Sequence, residues 1–398
     1  MKRVRSKRKI NNREPFKLFT KPNGKGDRVL FFVILGLILF GALMIFSGSV
    51  PVAVLQEKPP YQYFIQQIEF LIMGLVLFAV VYNIDYHIYP KLSPLGIIVT
   101  LILLVVVLFT PTINDTHRWL DIGIMTFQVS DLAKLTLVIY FASWLSKEEH
   151  RSPDRSQLAN YLKFNLGPFL GILGLFCFLI LIEPNLSTTI LIGVTALSMY
   201  FLSGQDIWHN IGTIGVTITL GLSGLLAGII APYRFARIKT FIDFLFTGQL
   251  ADPTGRDYQL RQILIAVGTG KIVGEGFGQS KQKFAYLTDT AFSDTIFAVF
   301  AEEFGFLGSI VLVSVYIWIM FRGFKIAKHA PDKLGSLLAI GITIWLSFQT
   351  FIHFAVNVGL IPLTGMPLPF LSYGGSSLLM TMAGVGILLN VSRYSKET

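Results

Sequence analysis

Apolar residues in this chain come in runs separated by short polar or charged pieces. Ten runs are about as long as a helix needs to cross the hydrocarbon core of a bilayer, roughly 20 residues. They predict spans near 29–49, 63–84, 92–110, 128–145, 166–182, 186–202, 211–230, 295–321, 334–356 and 376–389. The fifth and sixth are parted only by Glu183, Pro184 and Asn185. The long stretch 231–293 holds no full span, but 241–246 and 258–267 read as short amphipathic pieces lying along a membrane surface. The pattern predicts an all-α polytopic membrane protein in five parts. A tail (1–28) leads into seven helices (29–230) and a large loop (231–293). Three more helices (294–392) follow, with an irregular segment at 357–377, and a short terminus (393–398) closes the chain.

Composition sharpens this picture. The chain is 53% hydrophobic and 14% charged, too apolar for a soluble domain. A single cysteine, Cys177, lies inside an apolar run, which excludes a disulfide framework and a cysteine metal site. Six histidines show no metal-binding spacing. The net charge of +10 resembles a nucleic-acid signal, yet eleven Lys and Arg residues crowd into 1–28. A basic tail ahead of a span is explained by the positive-inside rule and by attraction to anionic lipid. The first run is too long for a cleavable signal, and no small-residue cleavage site closes it. With the N-terminus inside, the inner segments are the tail, 146–163, 322–333 and the Arg393/Lys396 terminus. The short outer loops then carry only Lys58 and Arg118. Both termini are therefore expected in the cytoplasm, with 231–293, Asp294 and the loop 357–375 facing outward. No internal repeat is visible, which counts against a secondary transporter.

Candidate chemistry gathers in 283–305. Asp294 stands at the lip of the eighth span, with Ala298, Ala301, Gly305 and Gly308 below it at helical spacing. Such a stripe predicts a close neighbouring helix. An acid there is either functional or a helix N-cap. Asp131 and Lys134 lie one turn apart in the fourth span. They are either a self-satisfied packing pair, or Lys134 also faces Asp294 and holds it ionised. Glu302 and Glu303 need partners, and Arg234, Arg237, Arg261 and Lys283 are candidates. Those cations are equally suited to an anionic substrate, or to anchoring at the interface. The glycine-rich 268–278 is not a phosphate loop, because Ile265 occupies a required glycine position. Glycine backbone there can still approach a lipid headgroup closely. Three prolines and four glycines make 357–377 a rigid, non-helical segment. At membrane depth such backbone must be buried in protein or line a watery cavity.

That segment, ending Pro367-Leu368-Pro369-Phe370-Leu371-Ser372-Tyr373-Gly374-Gly375-Ser376-Ser377, resembles the signature of the SEDS family, the FtsW, RodA and SpoVE proteins. The resemblance runs through Arg118-Trp119, Gln128 to Lys134, Tyr233 to Ile238, Tyr258-Gln259, Gly274 to Gly278, Gln282-Lys283, Ser293 to Ala298 and Glu302-Glu303. The basic tail and Asp27-Arg28-Val29-Leu30 look more like the FtsW branch than the RodA branch. The resemblance implies a peptidoglycan glycosyltransferase that polymerises lipid II on the outer face of the membrane, in cell division. It implies a class B penicillin-binding transpeptidase as partner, with the growing glycan chain and other division or elongation proteins. Asp294 corresponds to the family's catalytic aspartate, a base for the acceptor hydroxyl, with Lys134 tuning it. Candidate substrate contacts are Arg118, Asp131, Arg234, Arg237, Gln259, Lys283, Glu302, Ser372, Tyr373 and Ser376. Cations or a divalent metal, Mg or Mn, would steady the pyrophosphate leaving group. The chain departs from the family pattern at Val129 and Asp131 (usually Pro and Glu) and at Glu183-Pro184-Asn185 (Gln-Pro-Asp). It departs again at Phe292-Ser293 (His-Thr) and His353 (Asn). A lipid II flippase and a non-catalytic scaffold are the alternatives. An outward Asp294 favours the enzyme, since a flippase needs charged groups on both sides of its path. A scaffold does not need the Asp131/Lys134 pair.

Overall fold

The computed structural model describes residues 24, 26–111, 117–123, 125–147, 165–204 and 258–395, with positions 215, 239, 241–244 and 246. The predicted seventh span, most of the 146–163 linker, Arg234 and Arg237 lie outside the described residues. The other nine spans appear as helices: α1 (Arg28–Leu55), α2 (Gln62–Asn83), α3 (Tyr89–Val107), α4 (Val129–Leu145), α5 (Gly167–Ile182), α6 (Leu186–Ser203), α9 (Ile296–His329), α10 (Lys333–Asn357) and α11 (Gly375–Ser392). Two short helices, α7 (Tyr258–Thr269) and α8 (Gln282–Ala285), precede α9. The polar loop before α4 contains a small antiparallel hairpin, β1 (Trp119–Asp121) with β2 (Thr126–Gln128). Among the described residues, seven helices are long and apolar enough to cross a membrane, and α5 is apolar but shorter. Exposed Phe32, Ile72, Ile102, Val311, Phe321 and Phe351 leave an apolar outer surface that lipid, not water, accommodates. The protein is an integral membrane protein.

Local chemistry sets the helix starts. Asp27, Asn185 and Asp332 cap α1, α6 and α10 by accepting from the backbone N–H groups of Leu30, Thr188 and Gly335. At the centre lies α11, where only Ser377 escapes full burial. Its glycines admit close neighbours. A Cβ at Gly384 would press on the Trp345 ring of α10, and one at Gly386 on the backbone of α2.

The stripe below Asp294 serves a different neighbour from the one its spacing predicts. Helix α9 is broken at Gly305 (φ 66°, ψ −165°), and the glycine-rich loop inserts at the break. Glu275 and Gly276 donate backbone N–H groups to the carbonyls of Glu302 and Glu303 at 2.9 and 3.0 Å. Phe306 and Leu307 donate in turn to Lys271 and Ile272 at 2.9 and 3.1 Å. The loop thereby takes up the groups that the broken helix would leave unpaired. Gly274 (φ 84°) is required at this contact, since a Cβ would overlap the Glu303 carbonyl. Gly270 and Gly274 serve backbone packing on α9, where a Cβ would overlap the carbonyls of Ala301 and Glu303. Likewise α7 does not simply lie on a membrane surface: Leu260, Ile263 and Ala266 are buried, and the helix packs on α9.

The chain termini meet at the opposite end of the bundle from Asp294. Asp27 pairs with Arg322 at 2.7 Å and its N–H donates to Ser392 Oγ, while Gly24 N–H donates to the Arg393 carbonyl. Beside them His87 sits between two carboxylates, Asp85 at 2.6 Å and Asp332 at 2.7 Å, with Tyr86 also donating to Asp332. This staple joins the α2–α3 turn to the α9–α10 turn. The bond to Asp332 raises the His87 pKa to about 8, against the opposing effect of burial and with help from Asp85. A histidine raised from 6.5 contributes its full stabilisation below that value and loses it as pH rises through about 8. His87→Gln is therefore expected to lower the thermal midpoint in detergent most near pH 6. The gap should close above pH 8, and a gap independent of pH would remove the charged staple.

Candidate active site

Asp294 lies in the turn between α8 and α9, partly exposed, and it is not the helix N-cap: that position is Thr295. Three successive carbonyls of the turn are each gripped from the irregular segment or its flank. The Tyr373 N–H donates to Phe292 at 2.8 Å, the Ser372 hydroxyl to Ser293 at 2.7 Å, and the Asn357 amide to Asp294 at 3.1 Å. Backbone fixed at three consecutive positions leaves a side chain little freedom beyond its own rotamer. The Asp294 carboxylate lies against Gly365 (φ 67°), where a Cβ would stand 3.3 Å from Oδ2. Ser372 also accepts from the Leu368 N–H, and the Tyr373 hydroxyl reaches Gln66 on α2 at 2.8 Å. Ser372 and Tyr373 thus hold the turn, instead of offering free groups to a substrate.

Lys134 does not reach Asp294. Its ammonium pairs with Asp131 at 2.7 Å, approaches Gln349 Oε1 at 3.4 Å and lies over the Trp345 ring. Asp131 in turn accepts from the Ser376 hydroxyl at 2.7 Å. Gln349 and Asn357 are eight residues apart on α10, so Lys134 meets that helix roughly 12 Å deeper than the Asp294 turn does. The expectation that Lys134 tunes Asp294 by contact is corrected. The cation found its partner one turn back on its own helix, and the pair ties α4 to α10 and α11.

The remaining candidates divide. Lys283 is buried, bonded to Glu303 at 2.6 Å and to Ser47 at 2.7 Å. Glu302 accepts from Ser280 and from the backbone N–H groups of Lys281 and Gln282. Both belong to the α9 break and are closed to a substrate. Arg118 donates to the carbonyls of Glu183 and Pro184, each at 2.6 Å, and is partly exposed. The Ser187 hydroxyl, farther along α6, bonds the Thr364 carbonyl, next to Gly365. Arg118 therefore borders the same end of the bundle as Asp294. Gln259 stands partly exposed in the first turn of α7. Sequence reading passed over the polar column Gln349, His353 and Asn357, whose four-residue spacing in an apolar helix was the available signal.

A family model described as cell cycle protein, FtsW/RodA/SpoVE, matches residues 27–397. The chain belongs to this family. It is 35% identical over 378 residues to stage V sporulation protein E of Bacillus subtilis, covering 93% of this chain and 98% of that one. It is 36% identical to a probable peptidoglycan glycosyltransferase FtsW of Thioalkalivibrio sulfidiphilus, covering 94% and 90%. Its fold matches a chain solved in work on structural coordination of polymerization and crosslinking by a peptidoglycan synthase complex. That match has a TM-score of 0.72 and 24% identity, covering 94% and 99%. The rod shape determining protein RodA of Thermus thermophilus matches with a TM-score of 0.65 and 22% identity, covering 94% and 99%.

The departures from the FtsW/RodA/SpoVE pattern become intelligible in place. Asn185 Oδ1 caps α6 as an aspartate would, and its amide donates to Ser130 on α4 at 3.3 Å. Glu183 is fully buried, and neither carboxyl oxygen has a partner among the described residues. Burial pushes its pKa up to about 8, with Arg118 acting the other way. Burial thus favours the uncharged acid, which is close in shape to the family's glutamine. Phe292 packs against Tyr63 and Tyr373 with ring centroids 5.0 and 5.4 Å away.

The Asp131/Lys134 pair yields a stability test. Removing one partner of a buried pair strands a charge and costs about 3–5 kcal/mol, whereas replacing both costs far less. Lys134→Met is expected to lower thermal stability sharply, and Asp131→Leu combined with Lys134→Met to recover most of the loss. Equal stability of the single variant and the wild type would show that the pair locks nothing.

Proposed function

We propose that this chain is a peptidoglycan glycosyltransferase that polymerises lipid II, with Asp294 as its general base. The observation that carries the reading is the clamped turn: a partly exposed carboxylate on backbone held at Phe292, Ser293 and Asp294. The family's relatives named as probable peptidoglycan glycosyltransferases support the reaction class. The acceptor sugar's 4-hydroxyl gives its proton to Asp294 as its oxygen bonds the donor's anomeric carbon. The bond to undecaprenyl pyrophosphate breaks with its electron pair going to the phosphate oxygen, so configuration inverts. That leaving group is already an anion and needs no second acid, only positive charge nearby. Arg118 is a rigid source, and Arg234 and Arg237 are further candidates. A divalent cation finds no group of three ligating side chains among the described residues, and no step is derived through one.

The distribution of Lys and Arg supports an orientation with both termini in the cytoplasm and the Asp294 end outside. On this orientation the partner is a class B transpeptidase, whose substrate is the glycan made here, and the service is cell division. Flipping fits less well. The buried Asp131/Lys134 and Lys283/Glu303 pairs are each closed, and they outline no charged path across the bundle.

The test is polymerisation of purified lipid II by the protein with its transpeptidase. Asp294→Asn, isosteric but without the base, is expected to lose at least about a hundredfold in rate while folding normally. Wild-type polymerisation by that variant would place the base elsewhere. No polymer from the wild type beside an active control enzyme would shift the reading to flipping or scaffolding.

A further inference from the structure

Three side chains on one face of α10 each hold a backbone carbonyl. Gln349 holds that of Pro367 at 2.9 Å, His353 that of Met366 at 2.7 Å, and Asn357 that of Asp294 at 3.1 Å. The first two register the irregular segment on the helix, and the third registers the Asp294 turn. Segment and turn meet at Gly365, adjacent to Met366, where a Cβ would stand 3.3 Å from the Asp294 carboxylate. A shift of Met366 therefore carries Gly365 toward or away from Asp294.

His353 is 1% exposed. A carbonyl oxygen only accepts, so the Nδ1 that meets Met366 carries the proton. The other ring nitrogen, Nε2, has no partner among the described residues. One donor at the δ position is thus all that this side chain contributes by hydrogen bonding.

We propose that His353 is a positioning residue for the transferase reaction: its Nδ1–H, by holding the Met366 carbonyl, sets Gly365 against the carboxylate of Asp294. The inference rests on Asp294 as the base. It makes a stereochemical demand. Asparagine carries its amide nitrogen on Cγ, at the same δ position, and replaces the one bond used. Phenylalanine keeps the ring and loses the donor.

His353→Phe is expected to lower kcat for lipid II polymerisation about tenfold to a hundredfold, the range for a reacting group misplaced by about an ångström. KM should stay within about twofold, because no substrate contact is removed. His353→Asn should recover most of the rate. A second readout is independent of turnover: carbodiimide labelling of Asp294, followed by peptide mass spectrometry, should change in the Phe variant and return to the wild-type rate in the Asn variant. His353→Leu, likewise without a donor, replaces the Phe variant if that one fails to fold. Wild-type kcat and labelling in the donor-free variants, or an Asn variant as impaired as Phe, would overturn the proposal. If the wild type itself makes no polymer, the transferase reading falls, while the labelling pattern still decides whether His353 places Asp294.

Discussion

A chain in lipid must satisfy every backbone polar group from within, and this structure is organised around the two places where its helices fail to do so. One is the Asp294 turn and the other is the break at Gly305. At each the freed backbone groups are met by a dedicated piece of chain. The irregular segment and Asn357 take the carbonyls at 292–294, and the glycine-rich loop takes those of Glu302 and Glu303. The two interruptions bracket the first turns of α9. The site thus sits on non-helical backbone whose carbonyls are held at three consecutive positions.

Charge follows the same logic. Asp131 with Lys134, and Glu303 with Lys283, are buried pairs, and the Ser376 and Ser47 hydroxyls donate to their carboxylates. A buried pair of this kind is expensive to open, so it fixes geometry and contributes no mobile chemistry. Asp294 differs in being partly exposed and in having its position set through the backbone. Buried pairs hold the frame, while the backbone beneath a partly exposed carboxylate is held by hydrogen bonds to its carbonyls.

Much of this was legible in the sequence. Runs of apolar residues marked the spans, because the bilayer makes length and hydropathy decisive. Asp294 stood out because an acid at the lip of a span is costly. What misled was pairing across distance. The pairs Asp131/Lys134 and Glu303/Lys283 were both among the sequence's options, but Lys134 was also matched to Asp294 and Lys283 to a substrate. Within the small-residue stripe, Ala301 and Gly305 meet the glycine-rich loop at close range. Spacing on one helix reports a face; it does not report what covers that face. The column at 349, 353 and 357 was equally visible, yet its meaning lay in carbonyls of a segment whose path no periodicity reveals.

The termini end illustrates a constraint of another kind. There the turns between helices face water, and the ties are side chain to side chain: His87 between Asp85 and Asp332, Asp27 with Arg322. Such ties respond to pH and salt, because water screens them and protons compete for them. At the Asp294 end the three carbonyls of the turn are held by neutral donors, the Tyr373 N–H, the Ser372 hydroxyl and the Asn357 amide. Neutral donors hold their carbonyls alike whatever the ionic strength around them. The backbone under Asp294 thus keeps its placement while the medium changes, since none of these three bonds carries a charge that salt can screen.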